Sequence, residues 1–221
     1  LGPSSADTAE VELAAPSVTW GGAATGTRIR VPVELQRPED APWSGWVEAL
    51  GDSARAGGRL DGAVEGTAGP LDLKLSAAGS VLDDYDAPDG TLVPAGRTEA
   101  TATAAATLRL GAGQRVFSTL TYAYEQDVDT PSLPMDIVDS QLVLYNGGYR
   151  LRRTSGALRA VDVEAGLSVV DHTMDNANKP NRKVMEAQTP AQANTLAARA
   201  AGTWAPFGAA RLITGLDAQY V

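Results

Sequence analysis

The sequence predicts an all-β chain, an antiparallel transmembrane β-barrel of which about nine strands are present. Nine stretches alternate apolar and polar residues with a period of two, and the links between them alternate between short and long. Many of these stretches exceed the ~5 to 6 residues of a typical globular strand and reach the ~9 to 11 that cross a bilayer at a tilt. The predicted strands are Trp43 to Gly51, Ala56 to Thr67, Pro70 to Leu82, Arg97 to Leu110, Gln114 to Gln126, Ser140 to Arg153, Ala157 to Asp171, Ala193 to Ala205 and Gly208 to Val221.

The alternation is clearest in the third predicted strand. There Leu71 and Leu73 fall on one face, while Asp72 and Lys74 fall on the other, because successive side chains of a strand point to opposite sides. The predicted strands Arg97 to Leu110 and Ala157 to Asp171 repeat the pattern. One face of the predicted sheet is therefore apolar and the other is polar.

The links between the predicted strands indicate a direction for each strand. Four links are tight and turn-like: Ala68-Gly69, Gly111 to Gly113, Thr154 to Gly156 and Pro206-Phe207. Long links are rich in Asp, Asn, Pro and Gly: Asp83 to Gly96, Asp127 to Asp139 and His172 to Gln192. Outer-membrane barrels have short periplasmic turns and long outer loops, so we expect the long links to face the exterior.

Composition narrows the classes of function. The net charge of −9 argues against a nucleic-acid partner, which calls for clustered Lys and Arg. No run approaches the ~18 to 20 apolar residues of a membrane helix, so a membrane would be crossed by strands. The chain has no cysteine, which excludes disulfides and a Cys-based zinc site. Nine strands cannot close an even-stranded bacterial barrel, so we expect a piece of a longer protein.

The segment Val11 to Arg30 (VELAAPSVTWGGAATGTRIR) resembles the end of the plug domain of TonB-dependent outer-membrane receptors. In that family the plug closes with Val-Glu-Val, a Gly-Pro-x-Ser turn, an aromatic-Gly pair and a run of small residues. This chain differs in having Ala15 where Gly usually precedes the proline, and Ala14 where a basic residue is common.

The resemblance implies a division of the chain and a location for it. Residues 1–40 would be the C-terminal part of the plug domain and a linker, and residues 41–221 the N-terminal portion of a barrel that has 22 strands in this family. The protein would lie in the outer membrane of a Gram-negative cell, in contact with outer-membrane lipid. It would take up a ligand by active transport driven by the TonB complex, which would bind a region before this segment, and it would perform no covalent chemistry.

Three further segments resemble the copper receptors of this family in their order and spacing: Asp83 to Gly90, Leu133 to Asp136 and Val170 to Asn176. In those receptors a His-x-Met pair on the barrel and a Cys-x-x-x-Met pair in the plug are understood to bind copper. His172 and Met174 match the barrel pair residue by residue. The resemblance therefore implies copper as the transported ligand, with no permanently bound cofactor, and a ferric siderophore or other metal chelate is the second candidate.

A parity argument independently supports a ligand role for these two side chains. Counting along the predicted strand Ala157 to Asp171 and onward, His172 and Met174 fall on the same polar face as Asp162 and Glu164. Imidazole and thioether form a soft ligand pair suited to Cu(I). The plain alternative is an ordinary surface histidine at a loop mouth. Met185 in the same loop is a further candidate ligand.

Other interpretations remain open at this stage. The aspartates of the first long loop lack the spacing of a calcium loop, so a hairpin is the better prediction. A protease-like pairing of Asp83-Asp84 with Asp171-His172 is hindered because adjacent strand residues point to opposite faces. A small porin-like barrel of eight or ten strands and a soluble β-sandwich binding module are the rival architectures. Aromatic residues near predicted strand ends, such as Trp43 and Trp204, suit interfacial girdles.

Overall fold

The computed structural model describes residues 17–18, 27–35, 43–53, 55–111, 113–205 and 210–221, with the backbone alone for the first two ranges. Eleven of its strands form one antiparallel sheet, and two short strands form a separate hairpin. The strands are β1 (Ser17–Val18), β2 (Thr27–Leu35), β3 (Trp43–Asp52), β4 (Gly57–Ala68), β5 (Leu71–Leu82), β6 (Tyr85–Asp86), β7 (Leu92–Val93), β8 (Arg97–Gly111), β9 (Gln114–Val128), β10 (Asp136–Arg152), β11 (Leu158–Asp175), β12 (Gln188–Trp204) and β13 (Leu212–Tyr220). The predicted all-β antiparallel class is thus confirmed.

All nine predicted strands are present, as β3 to β5 and β8 to β13. The largest differences are at the ends that lead into long loops. There β11 continues to Asp175 and β12 begins at Gln188. These extensions pair with each other, as Asp175 lies opposite Gln188 and Asp136 opposite Asp175. Pairing between strands therefore carries the sheet past the points where the alternating pattern stops.

Two features were not predicted from the alternating pattern. The strand β2 pairs with β3 along the register from Arg28 opposite Asp52 to Leu35 opposite Gly45, so the sheet includes part of residues 1–40. The hairpin of β6 and β7 lies inside the first predicted long loop. Most of the plug-like segment lies outside the described residues, as does the predicted turn Pro206-Phe207, and the division at residue 40 stays a prediction.

The sheet is a meander, because the strands of the sheet follow one another in chain order from β1 to β13. The single interruption is the β6–β7 hairpin, across which β5 pairs with β8. At one end of the strands, here called the turn end, the connections are short, as at Gly69-Pro70 between β4 and β5, where Gly69 has a φ of +59°. At the other end, the loop end, lie the loops 83–96, 129–135 and 176–187.

Helix is almost absent from the described ranges. The one helical element in them is a 3-10 turn, Pro180–Lys183, in the last of the loop-end segments. No helix in these ranges has the length and hydropathy of a membrane span.

One face of the sheet is apolar and exposed. Directly opposite residues of paired strands share a face, and one row across this face illustrates its character: Val64, Leu75, Ala104, Leu120, Tyr145, Leu167, Leu196 and Tyr220. Leu75 is 52% exposed and Leu196 is 54% exposed. In the described ranges only two hydrophobic residues, Leu151 and Ala160, are buried. The sheet therefore has no hydrophobic core of its own.

The opposite face is polar and rich in ion pairs. The row next to the apolar one holds mainly hydroxyls: Ala63, Ser76, Thr103, Thr121, Leu144, Ser168 and Thr195. Eight ion pairs lie on this face, among them Arg150 with Glu164 at 2.6 Å and Arg152 with Asp162 at 2.7 Å. Among the described side chains of β4 to β13, every ion pair that joins two strand residues lies on this polar face. The predicted separation of the two faces is confirmed.

Candidate functional site

The predicted metal ligands lie at the loop end of β11, on the polar face. The pairing of β11 with β12 is uninterrupted from Ala160 to Asp175, so His172 and Met174 keep the same parity as Asp162 and Glu164. Both side chains are half-buried. The strand thus brings an imidazole and a thioether to one face, two residues apart, as the sequence predicts.

The neighbours of these two side chains are small or apolar. His172 lies opposite Ser140 on β10 and Ala191 on β12, while Met174 lies opposite Ile137 and Thr189. In the described ranges no three His, Cys, Asp or Glu side chains come together to hold a metal ion. A metal bound at this position would depend on the nitrogen of His172 and the sulfur of Met174 rather than on a carboxylate cage.

The two alternative partners of His172 are placed differently. The side chain of Met185 is 68% exposed in the loop 176–187, where its backbone oxygen accepts a hydrogen bond from Asn176 Nδ2 at 2.8 Å. Asp171 has the parity of the apolar face and lies opposite Gln141 and Gln192. The protease-like pairing of Asp171 with His172 on one face is therefore not formed.

The first long loop, predicted as a hairpin loop rather than a calcium loop, contains the β6–β7 strand pair, and its aspartates bond to the backbone. Asp84 Oδ1 accepts hydrogen bonds from the amides of Ala95 and Gly96, both at 2.9 Å. Asp89 Oδ1 accepts a hydrogen bond from the amide of Thr91 at 3.0 Å. Hydrogen bonding to Thr91 lowers the pKa of the Asp89 carboxyl. The carboxylates serve as turn-forming groups here.

The last long loop is organised around a buried asparagine. Asn176 is 1% exposed, and its side-chain amide donates to the backbone oxygen of Met185. Its Oδ1 accepts a hydrogen bond from the amide of Ala187 at 2.9 Å. The segment 176–187 is thus folded back on itself just beyond His172 and Met174.

A buried ion pair joins this loop to its neighbour. Lys179 Nζ lies 2.6 Å from Asp136 Oδ1 and donates to the backbone oxygen of Thr130 at 2.7 Å. Both charged side chains are about nine-tenths buried. Asn181 adds a bond from its Nδ2 to the backbone oxygen of Pro134 at 3.2 Å. Loops 129–135 and 176–187 therefore form one surface beside the His172 face.

The first loop joins the same surface. The amide of Asp129 donates to the backbone oxygen of Gly96 at 2.9 Å. Burial raises the pKa of the Asp129 carboxyl, and the nearby charges of Asp136 and Asp84 raise it further, while Lys179 opposes this. The three segments that carry the copper-receptor resemblance thus meet at one end of the sheet, in an acidic environment.

Aromatic side chains divide between the faces. Trp43, Tyr149 and Trp204 lie on the apolar face near the turn end, opposite Gly66, Val163 and Leu158 respectively. Trp46 lies on the polar face, opposite Ala63. In an outer-membrane barrel the girdle residues lie on the apolar face, and the first three residues lie on the apolar face of this sheet.

Comparison with family models, with curated proteins and with solved structures gave no significant match.

Sequence reasoning missed Lys179 as a partner of Asp136. Asp136 belongs to the segment Leu133 to Asp136, and Asn176 ends the segment Val170 to Asn176. The sequence assigns no role to either residue. The segment 176–187 contains three basic residues, Lys179, Arg182 and Lys183, and the sequence does not specify which of them pairs with which carboxylate.

Proposed function

We propose that this chain forms part of the wall of a TonB-dependent outer-membrane receptor that takes up copper. The observation that carries the proposal is the two-faced sheet, whose apolar side is exposed while its ion pairs lie on the other side. A soluble sheet buries its apolar face against a second layer, and an outer-membrane barrel turns that face to lipid. Strands of 15 to 18 residues in β8 to β12 are long enough to cross the bilayer at a tilt.

The rival architectures explain less. A β-sandwich requires a second large sheet, and the described residues contain only the two-stranded β6–β7 hairpin beside the main sheet. A small porin closes its last strand onto its first, whereas the described pairings leave β1 and β13 at the two ends of the sheet order. A larger barrel, to which this sheet contributes about half the wall, accounts for both observations.

The proposed lipid contact can be tested with two matched tryptophans. Trp43 and Trp46 are 41% and 44% exposed and lie on opposite faces of the same strand. We would prepare two variants that keep only one of them, with the other tryptophans changed to phenylalanine, and reconstitute each into vesicles containing brominated phosphatidylcholine. Bromine quenches tryptophan fluorescence on contact, so we expect quenching of Trp43 and little quenching of Trp46.

Equal quenching of the two tryptophans would contradict a lipid-facing apolar side. A chain that stays monomeric in buffer without detergent would support the soluble sandwich instead.

Copper is the proposed ligand because the His172 and Met174 side chains share one face and form a soft donor pair. The second candidate, a ferric siderophore or another metal chelate, would bind through the loop surface and would not need these two residues. The location in the outer membrane and the TonB complex as partner follow from the family resemblance. Transport itself would need the remainder of the receptor.

The copper assignment can be tested by titrating the detergent-solubilised chain with Cu(I) against a chromogenic chelator under reducing conditions. Loss of one of two ligands is expected to weaken binding at least about tenfold, which is about 1.4 kcal/mol. We expect this loss in His172→Asn and in Met174→Leu, and no change in the control Met185→Leu, which alters an exposed loop methionine. Unchanged Cu(I) affinity in the first two variants would overturn the assignment and favour a metal chelate.

A further inference from the structure

Three arginines lie side by side across the polar face near the turn end. Arg109 of β8 lies opposite Arg115 of β9, and Arg115 lies opposite Arg150 of β10. Directly opposite residues on paired strands have Cβ atoms about 5 Å apart, and like charges in such positions repel each other. An anion bound beside the three arginines would reduce this repulsion and stabilise the sheet.

The outer two arginines of this row are turned outward by carboxylates. Arg109 Nη2 lies 3.3 Å from Asp72 Oδ1 and donates to the backbone oxygen of Gly69 at 3.0 Å. On the other side Arg150 Nη2 bonds Glu164 Oε1 at 2.6 Å, with Asp162 Oδ1 3.7 Å from its Nε. Each guanidinium therefore has its counter-charge on the strand away from Arg115.

Arg115, in the middle of the row, lacks a counter-charge. Within the described part of the chain its side chain makes no ion pair and no hydrogen bond, and it is exposed. The next residue on the same face of β9 is Phe117, whose ring lies 4.4 Å below the Arg150 guanidinium. Gly148 lies opposite Phe117 and carries no side chain to cover the row. Neither Phe117 nor Gly148, the residues next to Arg115 along this face, thus supplies a counter-charge.

We propose that Arg115, flanked by Arg109 and Arg150, is a binding site for a small oxyanion, a phosphate or carboxylate group. A guanidinium has five N–H donors and binds such groups in a bidentate manner. All the donors of Arg115 are free for this purpose, and the flanking guanidiniums keep donors that their carboxylates do not use. The anion would also relieve the repulsion along the row. The site lies at the opposite end of the strands from His172 and requires neither copper nor a lipid bilayer.

The test compares Arg115→Gln with Arg153→Gln in the detergent-solubilised chain. Arg153 is exposed at the same end of the sheet and outside the row, so both variants lose one positive charge. Inorganic phosphate is the probe, with chloride at equal ionic strength as the reference. A ligand that binds only the folded state raises the unfolding midpoint in proportion to its affinity. We expect phosphate to raise the midpoint of the unmodified chain and of Arg153→Gln, and to leave that of Arg115→Gln unchanged.

Calorimetric titration measures the same affinity directly. We expect Arg115→Gln to weaken phosphate binding about tenfold and Arg115→Lys, which keeps the charge without the planar fork, to weaken it less. In chloride, Arg115→Gln should unfold no earlier than the unmodified chain, because it removes a like-charge contact. If phosphate raises the unfolding midpoints of the Arg115 and Arg153 variants equally, Arg115 is not a specific binding site and the proposal is overturned. Absence of any effect on the unmodified chain would overturn the proposal.

Discussion

The ion pair of Lys179 and Asp136 is deeply buried at the loop end. Removing two charges from water is costly, and the pair compensates through a 2.6 Å contact and through hydrogen bonds to Thr130. Asp136 Oδ1 accepts a bond from the amide of Thr130 at 2.7 Å, and Lys179 donates to its carbonyl oxygen. The pair therefore fixes two loops relative to each other.

Breaking this pair should loosen the loops without unfolding the sheet. In Lys179→Met the carboxylate of Asp136 keeps its burial and loses its counter-charge, a change that costs about 3–5 kcal/mol in buried pairs. We expect faster amide hydrogen exchange across residues 129–135 and 176–187, with little change in β8 and β9. Lys183→Met, an exposed lysine in the same loop, is the control and should leave exchange unchanged.

The double variant Lys179→Met with Asp136→Asn tests the cause. If the unpaired Asp136 carboxylate causes the faster exchange, replacing it with asparagine should slow amide hydrogen exchange in the two loops again in part. Equal exchange in the single and double variants would mean that the loss of lysine packing, rather than the unpaired carboxylate, is the cause.

The sequence could predict the position of His172 and Met174, because a strand repeats every two residues and the parity extends from Asp162 without interruption. It could not predict Lys179 with Asp136. That contact joins residues of two different loops, and no periodic pattern connects them. Local periodicity thus anticipates which face a side chain takes, and contacts between loops depend on how the loops fold.

At the scale of the strand, β10 is distinguished by two adjacent glycines that large side chains cover from both faces. Tyr145 lies over Gly147 on the apolar face, and Phe117 lies over Gly148 on the polar face. A Cβ added to Gly148 would meet the carbonyl oxygen of Val163 and two ring carbons of Phe117 at 2.9 and 3.0 Å. The ring in turn packs under Arg150.

This packing predicts that Gly148→Ala destabilises the sheet. Overfilling a packed position costs about 1–3 kcal/mol, since neighbours must leave their preferred geometry. Gly79→Ala in β5 is the matched control, because its nearest atom, the carbonyl oxygen of Glu99, would lie 3.6 Å away. Denaturant unfolding in detergent should give a lower free energy of unfolding for Gly148→Ala and a nearly unchanged value for Gly79→Ala. Similar losses in both variants would mean that any side chain at a strand glycine is harmful, whatever it contacts.

The nine strands β3 to β5 and β8 to β13 were predictable, whereas irregularities within them were not. The register of β10 against β11 shifts between Ile137 and Asp139, which leaves Val138 as an extra residue next to the loop. The strand residues next to Val138, from Asp136 to Ser140, include no glycine or proline that would signal the shift. The prediction accordingly began this strand only at Ser140, where the regular alternation starts.

At the scale of the whole molecule, the apolar face of the sheet is exposed and few of the described hydrophobic residues are buried. The stability of the sheet therefore depends on what surrounds it. Large apolar areas on a soluble monomer lead to association, and two unpaired sheet edges add to that tendency. Among the described residues no second layer covers the apolar face, so its surroundings have to cover it. A bilayer would cover the apolar face, while the charged side chains of the polar face pair with one another.

The meander order has one more consequence. Every described strand pair of the main sheet joins neighbours along the chain, apart from the short detour through β6 and β7. Such a sheet can grow by adding one hairpin at a time, with each new strand aligned by the strand before it, because no contact has to wait for a distant segment. The same order makes the architecture modular, since a hairpin gained or lost in evolution would widen or narrow the wall and leave the pairing of the remaining strands intact.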